Sequence, residues 1–206
     1  MIKYNIDQGS EAWFSARCGR VTGTRFKALM AGHSTVTYKD LIADMTCEII
    51  TGKMEEGFVN AAMEHGIETE PKARQEYETM FDVSVEEVGF IIPEEDNKYH
   101  DWIGVSPDGL VGDGLLEIKC PKMKTHLGYI AGRKLPTEYR YQVQGQLFVT
   151  GLQFCDFMSY VEGMKPFIVR VYPDPEIFKE FEQRLNDVIK LVQMYLNEYE
   201  KYDYYE

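Results

Sequence analysis

Residues 106–121 read Ser-Pro-Asp-Gly-Leu-Val-Gly-Asp-Gly-Leu-Leu-Glu-Ile-Lys-Cys-Pro, and they set acidic and basic side chains into an apolar run. Asp108-Gly109 and Asp113-Gly114 have the composition of turns, which suggests a hairpin whose second arm is Leu115 to Cys120. Side chains alternate faces along a strand. Leu116, Ile118 and Cys120 then point one way, and Leu115, Glu117 and Lys119 the other. One face is core, while the other sets a carboxylate beside an ammonium. Burying both ions without a purpose is costly, and a hard divalent cation supplies one. Asp108 and Glu117 offer the oxygens that Mg²⁺ takes. Lys119 is placed to orient or deprotonate a water, the more readily if metal charge lowers its pKa. Glu70-Pro71-Lys72 and Pro173-Asp174 repeat halves of this pattern, but neither lies in an apolar strand beside its missing half. An edge-hairpin salt bridge between Glu117 and Lys119 is the alternative that needs no chemistry.

These side chains need a scaffold, and the rest of the chain is consistent with an α/β one. At 206 residues, 44% hydrophobic and 13% aromatic, the chain can bury one core of ordinary size, which excludes a mainly disordered protein. No repeat or linker divides it, so a single domain is expected. Ser10 reads as the cap of a short helix through Cys18, and Thr22 as the cap of another through Met30. Residues 37–52 read as a helix stopped by Gly52, and Phe58 to about Met80 as a second. Residues 83–92 and 102–109 read as strands, Pro136 to Thr150 as a helix, 154–162 and 166–172 as a strand pair, and Asp174 to about Tyr202 as a long helix. The pattern predicts a mixed central β-sheet flanked by helices.

Charge and cysteines narrow the class. The net charge of −12 argues against a polyanion partner, yet it averages over opposed segments. Residues 1–39 and 115–145 each carry six Lys/Arg against two Asp/Glu, whereas 40–100 carry sixteen acids against four bases and 171–206 nine against four. A basic channel inside an acidic exterior has this distribution, and so do plain solvated helix faces. Cys18, Cys47, Cys120 and Cys155 form no CxxC, so free thiols are expected rather than zinc or an iron–sulfur cluster. No apolar run reaches the ~18–20 residues of a membrane span, and the first residues lack a signal-peptide pattern. A cytoplasmic protein without a membrane partner is expected.

The segment SPDGLV…LLEIKCP resembles the PD-(D/E)xK nucleases, in particular the phage lambda exonuclease and YqaJ-like viral recombinase family. QGSEAWFSARCGRVTGTRF is similar to the family's N-terminal signature, GIETEPKARQEYE to its G-x-x-x-E-x-x-A-R helix, and YRYQVQGQLFVTG to its Y-x-x-Q-x-Q helix. The likeness spans about residues 8–151 in the family's order. It implies a restriction-endonuclease-like core over 58–172, with N-terminal helices over 1–57 and a C-terminal helix over 174–202. It also implies that Asp108, Glu117, the Ile118 carbonyl and Glu70 hold Mg²⁺ or Mn²⁺, that Lys119 is the catalytic lysine, and that Gln142 steadies Lys119 or the water. Arg17 and Thr24, the latter where the family usually has serine, would bind the 5′-phosphate of a DNA end. Lys122, Lys124 and Arg140 are candidates for further DNA contacts, His126 beside them is a candidate to face phosphate, and His65 is expected to face solvent. The C-terminal tyrosines would pack on the core or on a neighbouring subunit.

The activity implied is a 5′→3′ exonuclease that degrades one strand of double-stranded DNA from its end and leaves a 3′ single strand for phage-type recombination. Its partners would be DNA ends and a single-strand annealing protein, and its assembly a homotrimer ring. Rival classes are a CRISPR-associated or AddB-like nuclease, against which the missing CxxC argues, an endonuclease of the same superfamily, and a non-catalytic DNA-end-binding scaffold. The scaffold would be expected to have lost Asp108, Glu117 or Lys119.

Overall fold

The structure is a computed structural model that describes residues 1–54 and 61–203. Its elements run β1 (Ile2–Tyr4), α1 (Glu11–Arg17), α2 (Arg25–Leu29), α3 (Val36–Thr51), α4 (Ala61–Phe81), β2 (Phe90–Ile92), β3 (Gly109–Val111), β4 (Gly114–Lys119), α5 (Met123–Gly132), α6 (Arg140–Thr150), β5 (Phe154–Ser159), β6 (Phe167–Val171) and α7 (Pro175–Lys201). The main sheet has the order β3-β4-β5-β6, with β4 and β5 parallel and the outer pairs antiparallel. A small antiparallel pair, β1 with β2, stands apart.

Helices α5 and α6 lie between β4 and β5, as a parallel crossover requires. The sheet has a core on each face. One is built from Leu115, Cys155 and Phe157 against α2, α3, α6 and α7, and the other from Leu116, Ile118 and Met158 against Ala73 and Tyr77 of α4. The alternation along β4 is thus the one its sequence predicts. Both faces are covered, so Glu117 is 1% exposed.

Local signals set several boundaries. Ser10 caps α1 by accepting Trp13 N–H, Asp174 caps α7, and Gly52 and Gly151 end α3 and α6 in the left-handed conformation. Other expectations are corrected. Thr22 does not cap α2: its side chain is turned inward, and the helix begins after Thr24, which makes no capping bond. The hairpin turn is Gly112-Asp113, with Gly112 at φ 54°, and Gly109 already belongs to β3. The strands expected over 83–92 and 102–109 shrink to β2 and the first residue of β3. The intervening extended chain pairs only through single bridges such as Ile91 with Val105. Helix α5 and strand β1 were not expected. The start expected for α4, at Phe58, lies outside the described residues. No helix among the described residues is long and apolar enough to cross a membrane.

Candidate active site

The C-terminal end of β4 carries the acidic and basic side chains, and β3 stops short of it. Pairing ends at Gly109 with Leu116, so Ile118 N–H has no strand partner on that edge and donates to Asp108 Oδ2 at 2.6 Å. N–H and C=O of one strand residue share an edge, and Lys119 C=O points the other way, accepting Tyr160 N–H. The Ile118 carbonyl therefore lies on the Asp108 side. Asp108, Ile118, Lys119, Glu70 and Tyr139 line one open cavity of about 380 Å³.

Glu117, buried and not part of that cavity's lining, has both oxygens engaged. Oε1 accepts Lys119 Nζ and, at 2.5 Å, Gln142 Nε2; Oε2 accepts Gln146 Nε2 at 2.5 Å. Gln142 and Gln146 are one turn apart on α6, so a single helix face delivers both amides. Gln142 thus holds Glu117, where the sequence suggested Lys119 or a water. Gln146 was missed, although its i+4 spacing from Gln142 was the available signal. Gln144 faces elsewhere, bonding the Tyr172 carbonyl and Asp174 N–H.

The electrostatics are those of crowded acids. Burial, then repulsion from Glu117, pushes the Asp108 carboxyl well above its ordinary pKa. Burial also raises Glu70; Arg74, bonded at 2.7 Å, and Lys119 oppose the shift, while Glu117 adds to it. Burial alone would lower Lys119, but Glu117 and Asp108 outweigh it and hold the ammonium firmly protonated. The Cys120 thiol is raised to about 11 by burial and then by Glu70 and Asp108, so it stays protonated.

Concentrated carboxylate charge with hard oxygen donors suits a divalent cation such as Mg²⁺ or Mn²⁺. Among the described residues no three His, Cys, Asp or Glu side chains form a ready cage. Mg²⁺ does not require one, because it is commonly held by one or two carboxylates together with substrate phosphate. Asp108, Glu70 and Ile118 line the cavity and could supply such oxygens, while Glu117 is not part of its lining.

A second cluster adjoins the first. Arg17 is stacked 3.9 Å from the Trp13 ring centroid and donates to Ser106 Oγ and Thr22 Oγ1, each at 3.3 Å. It forms no ion pair among the described residues, and its Nε is buried without a partner. Burial, then repulsion from Arg25, lowers its pKa to about 10, against a raising pull from Glu48. Ser106, two residues before Asp108, also accepts Trp13 Nε1 at 2.9 Å. The turn after Arg17 reaches the acidic cluster, since a Cβ on Gly23 would stand 3.7 Å from Gln142 Cγ. Thr24 is exposed beside it.

The outer candidates separate. Lys122 and Lys124 are exposed at the start of α5, and Arg140 is exposed but leans 3.5 Å from Asp174. His126 does not face phosphate. It is fully buried between Ser159 Oγ at 2.8 Å and the Lys165 carbonyl at 3.0 Å, because α5 packs that face on the sheet. His65 is exposed, 3.4 Å from Thr69 Oγ1.

Residues 12–153 match the family model of the YqaJ-like viral recombinase domain. The chain is similar to the alkaline exonuclease LHK-Exo of Laribacter hongkongensis, with a TM-score of 0.83 and 35% identity over 93% of this chain and 97% of that one. The same similarity holds for the structure of that enzyme in complex with dAMP. A phage related exonuclease from Haemophilus somnus shares the fold at a TM-score of 0.66 and 15% identity, over 87% of this chain and 96% of that one. The mixed sheet and its helices are of the PD-(D/E)xK type seen in these exonucleases. No curated protein sequence matches.

Proposed function

Because the chain belongs to the YqaJ-like viral recombinase family, we propose that it is a metal-dependent exonuclease that degrades one strand of double-stranded DNA in the 5′→3′ direction. The remaining 3′ single strand would pass to a single-strand annealing protein during phage-type recombination. One observation carries this reading: Arg17, a desolvated guanidinium with no carboxylate partner among the described residues, bonds Thr22 beside Gly23, and Gly23 packs near Gln142, the amide that holds the buried Glu117. An anion grip therefore adjoins a cluster suited to phosphodiester hydrolysis, as end-directed cleavage requires.

Asp108, Glu70, Glu117 and the Ile118 carbonyl would hold Mg²⁺ or Mn²⁺. When bound, the cation supplies Lewis-acid activation and offsets charge developing on the phosphate. Gln142 and Gln146 fix the Glu117 carboxylate, and Glu117 fixes the Lys119 ammonium. Lys119, held protonated, acts as a cation toward the scissile phosphate and orients the attacking water. Arg17 takes the 5′-phosphate with its planar fork, aided by the Thr24 hydroxyl. Lys122, Lys124 and Arg140 contact the duplex. A homotrimer ring with a basic channel would reconcile the net charge of −12 with a DNA substrate. The dAMP bound to LHK-Exo is consistent with release of mononucleotides.

The test is Lys119→Ala, purified and checked for cooperative melting. It should lose most digestion of a linear duplex in Mg²⁺ while still binding duplex ends in Ca²⁺. Near-normal digestion would remove Lys119 from the chemistry and with it this assignment of the site.

A further inference from the structure

Glu48 lies on α3, outside the cavity, and is 4% exposed. A buried carboxylate is unfavourable unless it is paired and hydrogen-bonded. Among the described residues, the partners of this one all lie in a single short stretch of chain. Oε2 accepts Gly19 N–H at 2.8 Å and Arg25 Nη1 at 2.9 Å, and Oε1 accepts Arg25 Nη2. The Cys18 thiol donates to the Glu48 carbonyl at 3.2 Å. Arg25 Nη1 also reaches back to the Arg20 carbonyl at 3.1 Å, which closes residues 20–25 into a ring, so the whole stretch 18–25 is stapled to α3. The approach is close. Gly19 has φ 70°, and a Cβ there would stand 2.6 Å from Ile49 Cγ1, so both its conformation and its packing call for glycine.

The stapled stretch begins one residue after Arg17 and contains Thr22-Gly23-Thr24. Arg17 leans on it through Thr22 Oγ1. Glu48 also supplies the negative charge that opposes the repulsion between Arg17 and Arg25.

We propose that Glu48 is a positioning residue for recognition of the DNA 5′-phosphate: by fixing Gly19 and Arg25 it sets Arg17 and the Thr22–Thr24 turn at the spacing that grips the terminal phosphate. This rests on the role given to Arg17 above. Glu48 touches neither substrate nor the reacting atoms, so its removal should change which ends are used and leave hydrolysis itself in place.

The experiment measures kcat and KM in Mg²⁺ on blunt duplexes with 5′-phosphate and with 5′-hydroxyl ends, for wild type, Glu48→Gln, Arg17→Ala and the double variant. Glu48→Gln keeps the shape and one acceptor for Gly19 but loses the charge that holds the Arg25 fork. The phosphate-over-hydroxyl ratio of kcat/KM should fall about tenfold, the scale of one charge-assisted hydrogen bond. The loss should appear as a raised KM for phosphorylated ends, with kcat on hydroxyl ends unchanged. In the double variant the ratio should fall no further than in Arg17→Ala, because Glu48 acts through that residue. If Glu48→Gln fails to melt cooperatively, Glu48→Asp, which keeps the charge but withdraws it by one methylene, takes its place with the same expected direction. Equal losses on both ends, or an unchanged ratio while Arg17→Ala lowers it, would overturn the proposal. A ratio insensitive even to Arg17→Ala would overturn the 5′-phosphate role of Arg17, and the role of Glu48 with it.

Discussion

Gln146→Glu replaces an amide with a carboxyl of the same shape where Gln146 Nε2 now lies 2.5 Å from Glu117 Oε2. Gln146 and Glu117 are each 1% exposed, so water cannot screen the new pair. Two ionised oxygens at that separation would repel by about 7 kcal/mol at an effective dielectric of ~20. The folded protein has a less costly option, which is to keep one proton between the two carboxyls. At pH 7, protonating a group of ordinary pKa near 4.3 costs about 4 kcal/mol, and this sets the size of the effect. The introduced carboxyl thus has a folded-state pKa raised above its unfolded value. The destabilisation should be nearly absent below about pH 4.3 and grow by about 1.4 kcal/mol per pH unit above it. Against a typical stability of about 5–15 kcal/mol, the variant should still fold at pH 7. The assay is urea unfolding of wild type and variant from pH 4.5 to 8 in EDTA, with duplex digestion measured alongside. A stability difference that does not change with pH, or a variant as stable as wild type at pH 8, would refute the buried amide clamp on Glu117.

Asp108→Asn should abolish most cleavage yet raise stability at pH 7 in EDTA, because burial and Glu117 raise the folded-state pKa of Asp108 and its ionised form weakens the fold. That gain should vanish as pH falls below the ordinary carboxylate range; urea midpoints at pH 7 and pH 3.5 check the sign. Binding of duplex ends in Ca²⁺ should weaken about 10³-fold between 50 and 200 mM salt if about six phosphates are contacted, as fluorescence anisotropy would report. A flat salt response would leave the basic segments without a DNA role. His126→Ala should lower the melting temperature while leaving the phosphate-over-hydroxyl ratio unchanged, since this ring pins α5 to Ser159 and Lys165 from inside the protein.

What could be seen in advance depended on how local the signal was. The β4 alternation was legible because each residue's face follows from its parity, and the two cores confirm it residue by residue. Helix ends marked by Ser10, Gly52, Gly151 and Asp174 were legible for the same reason: cap and helix are neighbours in sequence. Helix α5 was not, since Lys122 offers no side-chain cap, Gly128 interrupts it, and Met123 and Leu127 face outward. The segments at 83–92 and 102–109 have strand composition but lack continuous partners, which depends on chain far away in sequence. In the candidate site the residue types were visible and the wiring was not. Whether Gln142 meets Lys119 or Glu117, and whether Gln146 joins it, depends on how α6 crosses β4. Likewise Glu48 meets Gly19 and Arg25 only through the packing of α3 beneath the turn.

The most direct measurement is digestion of a blunt linear duplex labelled on one strand at either its 5′ or its 3′ end, with Mg²⁺ and with EDTA. The expected result is early release of the 5′ label as a mononucleotide, a 3′ label retained in long single-stranded product, and no release in EDTA. Early loss of the 3′ label, internal fragments before end products, or digestion in EDTA would contradict a metal-dependent 5′→3′ exonuclease.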